Sequence, residues 1–568
     1  MVSACVNRNV PGGAPADLVV NPGITLNGGK LMTDTALKPP DGPTEIIETD
    51  FEIGQDNVQA RIGPFGLDIH NPVFVISGLT IIAFTFFTLA LQEEAAQFFG
   101  WLRPMITSTF DWFFLAAANV FVVLCLVLIV TPLGKVRLGG KDAVPDYSYT
   151  GWFAMLFAAG MGIGLMFYGV SEPISHYSSS VAEGAGLPDS WAPLAGAAGN
   201  PAEAQRLGMA ATIFHWGLHP WAIYAVVALA LALFSYNKGL PLTMRSAFYP
   251  IFGERVWGWT GHIIDILAVF ATLFGLATSL GFGAEQASAG LEFLFGIPVT
   301  NVSKVVLITA ITAVALGSVL AGLDAGVKRL SEINMVLAAL LLVFVAAVGP
   351  TMEIVSGFFT NLIAYIEYLP ALSMPFERDD ANFSQGWTAF YWAWWISWSP
   401  FVGMFIARVS RGRTVREFII CVLLIPSIVS VFWMTVFGGT AISQIVNDGY
   451  TAVASAGLEL KLFVMLQELP LTQISSFIGI VLVIVFFVTS SDSGSLVIDT
   501  ITAGGKTNAP VSQRVFWCCF EGLVAIALLL GGGLGSLQAM AVSTGLPFTI
   551  VLLLGCYAIV RGLMSEPK

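Results

Sequence analysis

The 568-residue sequence predicts an all-α polytopic membrane protein with twelve transmembrane helices. Three observations predict that class. Hydrophobic residues make up 56% of the chain and charged residues 11%, against roughly 25% charged in a soluble domain. Apolar stretches at 113–133, 305–323 and 335–350 run near or past the ~20 residues that cross a ~30 Å hydrocarbon core. The bases are also asymmetric. Sixteen lie in the loops after even-numbered spans or beyond the last span, against five (Arg103, Arg206, Lys304, Arg378 and Lys461) on the other side. That bias puts both termini in the cytoplasm. A β-barrel is excluded, because its strands would read as ~10-residue alternating segments.

In chain order, residues 1–70 come first. The first sixty carry eight acids against three bases, with much Pro and Gly, and predict a disordered cytoplasmic tail. No basic run suggests nucleic acid, and no leader-type apolar run precedes Val73. Two N-terminal spans, near 73–91 and 110–133, occupy 71–135. Residues 150–350 hold spans 3–7, near 151–172, 207–235, 259–283, 303–323 and 331–350. An amphipathic segment at 351–370 predicts a helix on the membrane surface. Residues 385–562 hold spans 8–12, near 386–408, 414–437, 474–500, 513–531 and 538–561. Cys125, Cys421, Cys518, Cys519 and Cys556 lie in or beside these spans and read as core or lipid-facing residues rather than a disulfide set.

Two spans read as broken. In "FAAGMGIGLMFYG" (157–169), Gly160, Gly162 and Gly164 each cost a helix about 1 kcal/mol relative to Ala. Their spacing of two does not fit a small-residue packing face, which recurs every four. An unwound stretch at membrane depth must line protein or a wet cavity. The second expected break is at Pro400, in "FYWAWWISWSPFVG" (390–403). The two segments hold matching places in a 5+5 arrangement, which points to a central binding site.

Aromatic residues gather beside both. Trp392, Trp394, Trp395 and Trp398 crowd span 8, and Trp216, Trp221 and Tyr224 surround Pro220 in span 4. A box of π-faces binds a cation, above all a quaternary ammonium that cannot donate strong hydrogen bonds. No acid lies within either aromatic stretch or the glycine stretch. That favours a zwitterion whose negative end meets backbone N–H groups freed at the glycine break. In span 10, "FFVTSSDSGS" (486–495) offers Thr489 and Ser490, hard oxygen donors suited to an alkali cation.

Other features are weaker. His215 and His219 have metal-ligand spacing but no obvious third ligand, so packing or gating is the reading. Asp265, Glu285, Asp492 and Asp499 are ionisable residues in or near spans and thus functional candidates. Pairing of Asp492 and Asp499 with loop arginines such as Arg408 or Arg411 is the plainer account. Hydrolase, kinase and dinucleotide signatures are absent. No enzymatic activity is expected.

"GMGIGLMFYG", "FHWGLHPWAIY", "FYWAWWISWSPFVGMFIARVSRGRTVREF" and "TSSDSGS" together resemble the betaine/choline/carnitine transporter family, and within it the sodium-coupled glycine betaine carriers. The similarity spans residues 65–562. It implies a LeuT-like 5+5 inverted-repeat core after two extra helices, a homotrimer in the cytoplasmic membrane of a prokaryote, and import of compatible solutes by alternating access. It places the trimethylammonium among Trp216, Trp221, Tyr224, Trp395 and Trp398, with Trp394 beside them on the permeation path. The stretch Gly160, Met161, Gly162 and Gly164 would face the carboxylate, with Ser279 nearby, and Phe167 resembles a gate. Sodium, the coupling ion and the sole cofactor-like species expected, would take the carbonyls of Ala158, Met161 and Phe486 and the hydroxyls of Thr489 and Ser490. A second sodium site in the family uses two threonines one turn apart in span 5. Thr272 is present here, but Leu276 at the partner position offers no oxygen.

Family members that carry choline typically have an acid where this chain has Gly164, so the resemblance implies a zwitterion. The expected function is sodium-coupled import of glycine betaine or a close relative, through a fold that faces lipid on its outside. Two alternatives stand beside it. One is a sodium-independent or proton-coupled carrier of the same class, for carnitine, ectoine or dimethylsulfoniopropionate. The other is a sensor that binds the solute without moving it.

Overall fold

The computed structural model describes residues 39–63, 65–160, 162–187, 190–321 and 327–567. An antiparallel hairpin of β1 (Asn57–Ile62) and β2 (Phe65–His70) precedes the helices. The long helices are α1 (Val73–Ala90), α2 (Gln92–Val130), α3 (Tyr149–Gly160), α4 (Ile163–Val181), α5 (Pro201–Trp216), α6 (Leu218–Ala232), α7 (Trp259–Phe295) and α8 (Asn301–Ala321). They continue with α9 (Val327–Val348), α10 (Thr351–Leu372), α11 (Ala389–Val409), α12 (Val415–Asp448), α13 (Thr472–Thr502), α14 (Val511–Leu530) and α15 (Leu534–Ser565).

Among the described residues, ten helical stretches are long and apolar enough to cross a membrane, or eleven with the bent pair α3–α4 counted as one. Helix α11 stands outside that count. Its Trp, Tyr, Ser and Pro residues lower its mean hydropathy, although nearly all of it is buried. Burial separates centre from edge. The apolar window of α5–α6 is 94% buried, whereas those of α1, α8 and α9 are only 33%, 28% and 28% buried. The outer helices leave Phe86, Phe87, Val306, Val314 and Val343 uncovered, as lipid-facing surfaces do. Helix α10 covers α5 and α12 with Ile354, Asn361, Ala364 and Tyr365, while Met352, Val355, Phe359 and Ile363 remain exposed.

The glycine stretch is broken. Helices α3 and α4 meet at 64°, and Gly162 between them is fully extended. The expected break at Pro400 is absent, because α11 runs through it. Pro400 has no N–H for the Ile396 carbonyl, and the Ser399 hydroxyl donates to that oxygen instead, at 2.6 Å. The irregularity of this span comes earlier, as one π-helical turn at Ser384–Thr388. A break that the sequence did not flag sits in span 4, where Gly217 leaves helical geometry between α5 and α6.

The acidic tail divides likewise. Residues 1–38 lie outside the described residues, whereas 39–63 and 65–70 are packed on the bundle. Thr44 donates to the Asn237 carbonyl at 2.9 Å, and Phe51 stacks on Trp257 with centroids 4.3 Å apart. Asn57 donates to the Ala503 carbonyl at 2.9 Å, and Lys506 pairs with Asp68 at 2.6 Å. Averaged composition hid the alternation of the hairpin and the partners its acids find on loop bases.

Candidate functional site

The two helix breaks face one cavity. Its walls bring together Gly162 and Gly164 from the α3–α4 break, Trp216, Trp221 and Tyr224 from α5 and α6, Ser279 from α7, and Trp394, Trp395 and Trp398 from α11. Ala159, Ile163, Leu165, Pro220 and Ser430 complete the lining, with no acidic or basic side chain among the described residues. Met161 lies outside the described residues. Phe167 is buried beyond the lining, stacked on Phe282 at 5.0 Å.

The rings form crossed walls. Trp394 and Trp395 stack at 4.7 Å and 16°, and Trp216 meets Trp395 at 4.9 Å and 77°. Tyr224 stands nearly perpendicular to Trp395 at 6.1 Å, and Trp221 to Tyr224 at 5.3 Å. Three indole N–H groups are anchored away from the cavity. Trp216 donates to Glu172 Oε2 at 2.7 Å, Trp394 to the Gly275 carbonyl at 3.3 Å, and Trp395 to the His215 carbonyl at 2.9 Å. Their polar edges are thereby satisfied.

Gly164 makes the close approach possible. A Cβ there would stand 2.7 Å from Trp216 and 3.0 Å from Trp394. Helix α4 begins at this point, so Ile163, Gly164 and Leu165 bring its N-terminal turn to the cavity wall. The first N–H groups of a helix lack intrahelical acceptors and carry the positive end of its dipole. The cavity therefore offers π-faces to a cation and a helix N-terminus to an anion.

The sodium candidates lie elsewhere. Ala158 is in the last turn of α3, where carbonyls have no intrahelical donor. Phe486, Thr489 and Ser490 share one turn of α13. The Thr489 hydroxyl donates to the Val485 carbonyl at 3.0 Å, which leaves its lone pairs free to accept. Thr272 donates to the Ala268 carbonyl at 2.7 Å, and Leu276 is buried and apolar.

The remaining candidates have structural partners. Asp265 accepts from the Arg245 backbone at 3.0 Å and Glu285 pairs with Lys304 at 2.6 Å. Asp492 pairs with Arg514 at 2.9 Å, and Asp499 accepts from Gln513 at 3.1 Å. Their partners are thus on α14, not Arg408 or Arg411. His219 meets Asn119 at 2.9 Å and stacks on Trp392, so it does not join His215.

Sequence reasoning missed Glu172. It is fully buried on α4, and its carboxylate meets His176, His215, Trp216 and Tyr391. The signal was available: an acid four residues before a histidine, within span 3.

A family model described as "betaine/carnitine/choline family transporter" matches residues 72–568. A glycine betaine/proline/choline transporter of Vibrio parahaemolyticus is 69% identical over 543 residues, which is 95% of this chain and 98% of that protein. Glycine betaine transporter 1 of the same organism is 55% identical, covering 92% of this chain and 98% of its own. The glycine betaine transporter OpuD of Bacillus subtilis is 44% identical, over 82% of this chain and 89% of its own.

Proposed function

Because the chain belongs to the betaine/carnitine/choline transporter family, we propose that it imports glycine betaine or a related zwitterion by sodium symport. It is a multi-pass membrane transporter and not an enzyme. The observation that carries the substrate reading is the cavity itself: six aromatic side chains, no acidic or basic side chain among the described lining residues, and a helix N-terminus at one wall. Rings attract a methylated ammonium without demanding hydrogen bonds. The α4 N-terminus suits a carboxylate. Gly164 leaves no room for an acid, which favours a zwitterion over a bare cation. Proline and choline, which the 69% identical relative is named for beside glycine betaine, are the first competitors to test.

Coupling follows the same reading. Sodium would bind the carbonyls of Ala158, Met161 and Phe486 and the hydroxyls of Thr489 and Ser490, and sodium and solute would favour one closed arrangement. Alternating access would proceed by rocking of two five-helix repeats within twelve spans, with both termini cytoplasmic and three copies in the inner membrane. The exposed apolar face of α10 suits a helix at the membrane surface. A sodium-independent or proton-coupled mechanism is the second reading, favoured by Leu276, which is buried and offers no oxygen at the partner position of Thr272. Uptake of labelled glycine betaine into proteoliposomes, with an inward sodium gradient or with potassium replacing sodium, decides between them. Sodium-dependent accumulation supports symport, and saturable uptake indifferent to sodium overturns it.

A further inference from the structure

The cavity holds no acid, yet one stands directly behind its wall. Glu172 Oε2 accepts the Trp216 indole N–H at 2.7 Å and the Tyr391 hydroxyl at 2.5 Å. Oε1 lies 2.6 Å from His215 Nδ1 and 3.1 Å from His176 Nε2. His215 Nε2 faces the Thr388 hydroxyl at 3.0 Å; accepting there leaves the imidazole proton on Nδ1, toward Glu172. An ionised carboxylate has about four lone-pair positions, and four donors fill them.

We propose that Glu172 tunes the aromatic box from behind. By accepting the Trp216 N–H, its carboxylate holds that ring against the cavity and enriches the π-face turned to the ligand. Glu172 thereby sets how far the box prefers a quaternary ammonium over a neutral group of the same shape. This role rests on the reading of the cavity as a quaternary-ammonium site.

Three observations support it. The Trp216 bond has the short length of a charge-assisted hydrogen bond, and an indole whose N–H meets an anion carries more negative charge on its face. The same carboxylate reaches a second wall. It holds His215, whose backbone carbonyl anchors Trp395 at 2.9 Å, and Trp395 crosses Trp216 at 77°. Placement behind the ring also separates two demands. An acid within the cavity would attract the ammonium but repel the carboxylate of a zwitterion. An acid screened by an indole strengthens one end of the site and leaves the α4 N-terminus free for the other. Glu172 is therefore a positioning residue and does not line the cavity.

The test uses the full-length purified protein and isothermal titration calorimetry with two ligands, glycine betaine and 3,3-dimethylbutanoate. The second carries a neutral tert-butyl group where the first has trimethylammonium. Wild type should bind betaine more tightly. Glu172→Gln keeps the side-chain volume and one acceptor oxygen but loses the charge. It should weaken betaine about tenfold and leave dimethylbutanoate nearly unchanged. Tyr391→Phe removes one of the four donors and leaves the charge, so the ratio of affinities should hold or widen. It carries the test if Glu172→Gln does not fold. An unchanged ratio in Glu172→Gln, equal weakening of both ligands, or a narrowed ratio in Tyr391→Phe overturns the proposal. Failure of wild type to bind betaine at all is a distinct result: it removes the quaternary-ammonium reading, and this inference with it.

Discussion

Gly164 lies so close to Trp216 that a Cβ added to it would stand 2.7 Å from the indole. Its neighbour in the same break, Gly162, has open space at the corresponding position and an extended backbone that any residue adopts. The two glycines thus answer different needs. Gly164→Ala should force the Trp216 and Trp394 rings apart, at an overpacking cost of about 1–3 kcal/mol. It should raise KM for betaine uptake strongly while the protein remains folded. Gly162→Ala should change uptake far less. Equal effects in paired transport assays would remove the packing account of Gly164.

Trp395 contacts Trp216, Tyr224 and Trp394 at once. Trp395→Leu deletes a π-face worth up to about 2 kcal/mol when desolvated, so apparent affinity should fall about tenfold or more. Uptake kinetics across a betaine concentration series measure it. Unchanged kinetics would dismiss the aromatic box as the ammonium site.

Thr489 directs its proton to Val485 and keeps its lone pairs. If it binds sodium, Thr489→Ala should raise the sodium concentration for half-maximal uptake. A lost ligand worth about 1.4 kcal/mol would raise it tenfold. Thr272→Ala, where buried Leu276 one turn on offers no second oxygen, should leave the sodium dependence unaltered. A reversed order of effects would move the ion to span 5.

His70, at the end of β2, accepts from Arg245 at 3.0 Å, with His262 3.4 Å away. Burial first, then the Arg245 and His262 charges, push its imidazole down from its ordinary 6.5 to about 3. A group with a depressed folded pKa that must stay neutral stabilises docking fully above the ordinary value and loses that contribution as pH falls toward the folded one. The hairpin should thus hold tightly above about pH 6.5 and loosen progressively between there and pH 3. The amide protection factors of residues 57–70, taken relative to the intrinsic exchange rate at each pH, should fall on acidification in wild type. In His70→Gln that pH step should vanish. Wild-type protection factors that do not change with pH would contradict it.

Much of this architecture was legible because lipid imposes simple rules. Long apolar runs gave the helices, and glycines spaced by two gave the α3–α4 break. The aromatic clusters could be assigned to one cavity because each lies near an irregular helix. Pro400 misled because the compensating donor is a neighbouring side chain: the Ser399 hydroxyl meets Ile396, and no periodicity reports such a bond. Gly217 was overshadowed by Pro220, which α6 accommodates in its first turn. Glu172 escaped because its partners come from sequence positions as far away as Tyr391. Such convergence exists only after folding.

Each anchored indole depends on a helix other than its own. Trp216 on α5 is held from α4, Trp395 on α11 from α5, and Trp394 on α11 from α7. The box is thus a coincidence detector, closed only while four helices are in register. Its grip on a ligand gauges their alignment, and slippage of any single pair suffices to let go. Capture demands agreement among all of them, and release needs only one dissenter.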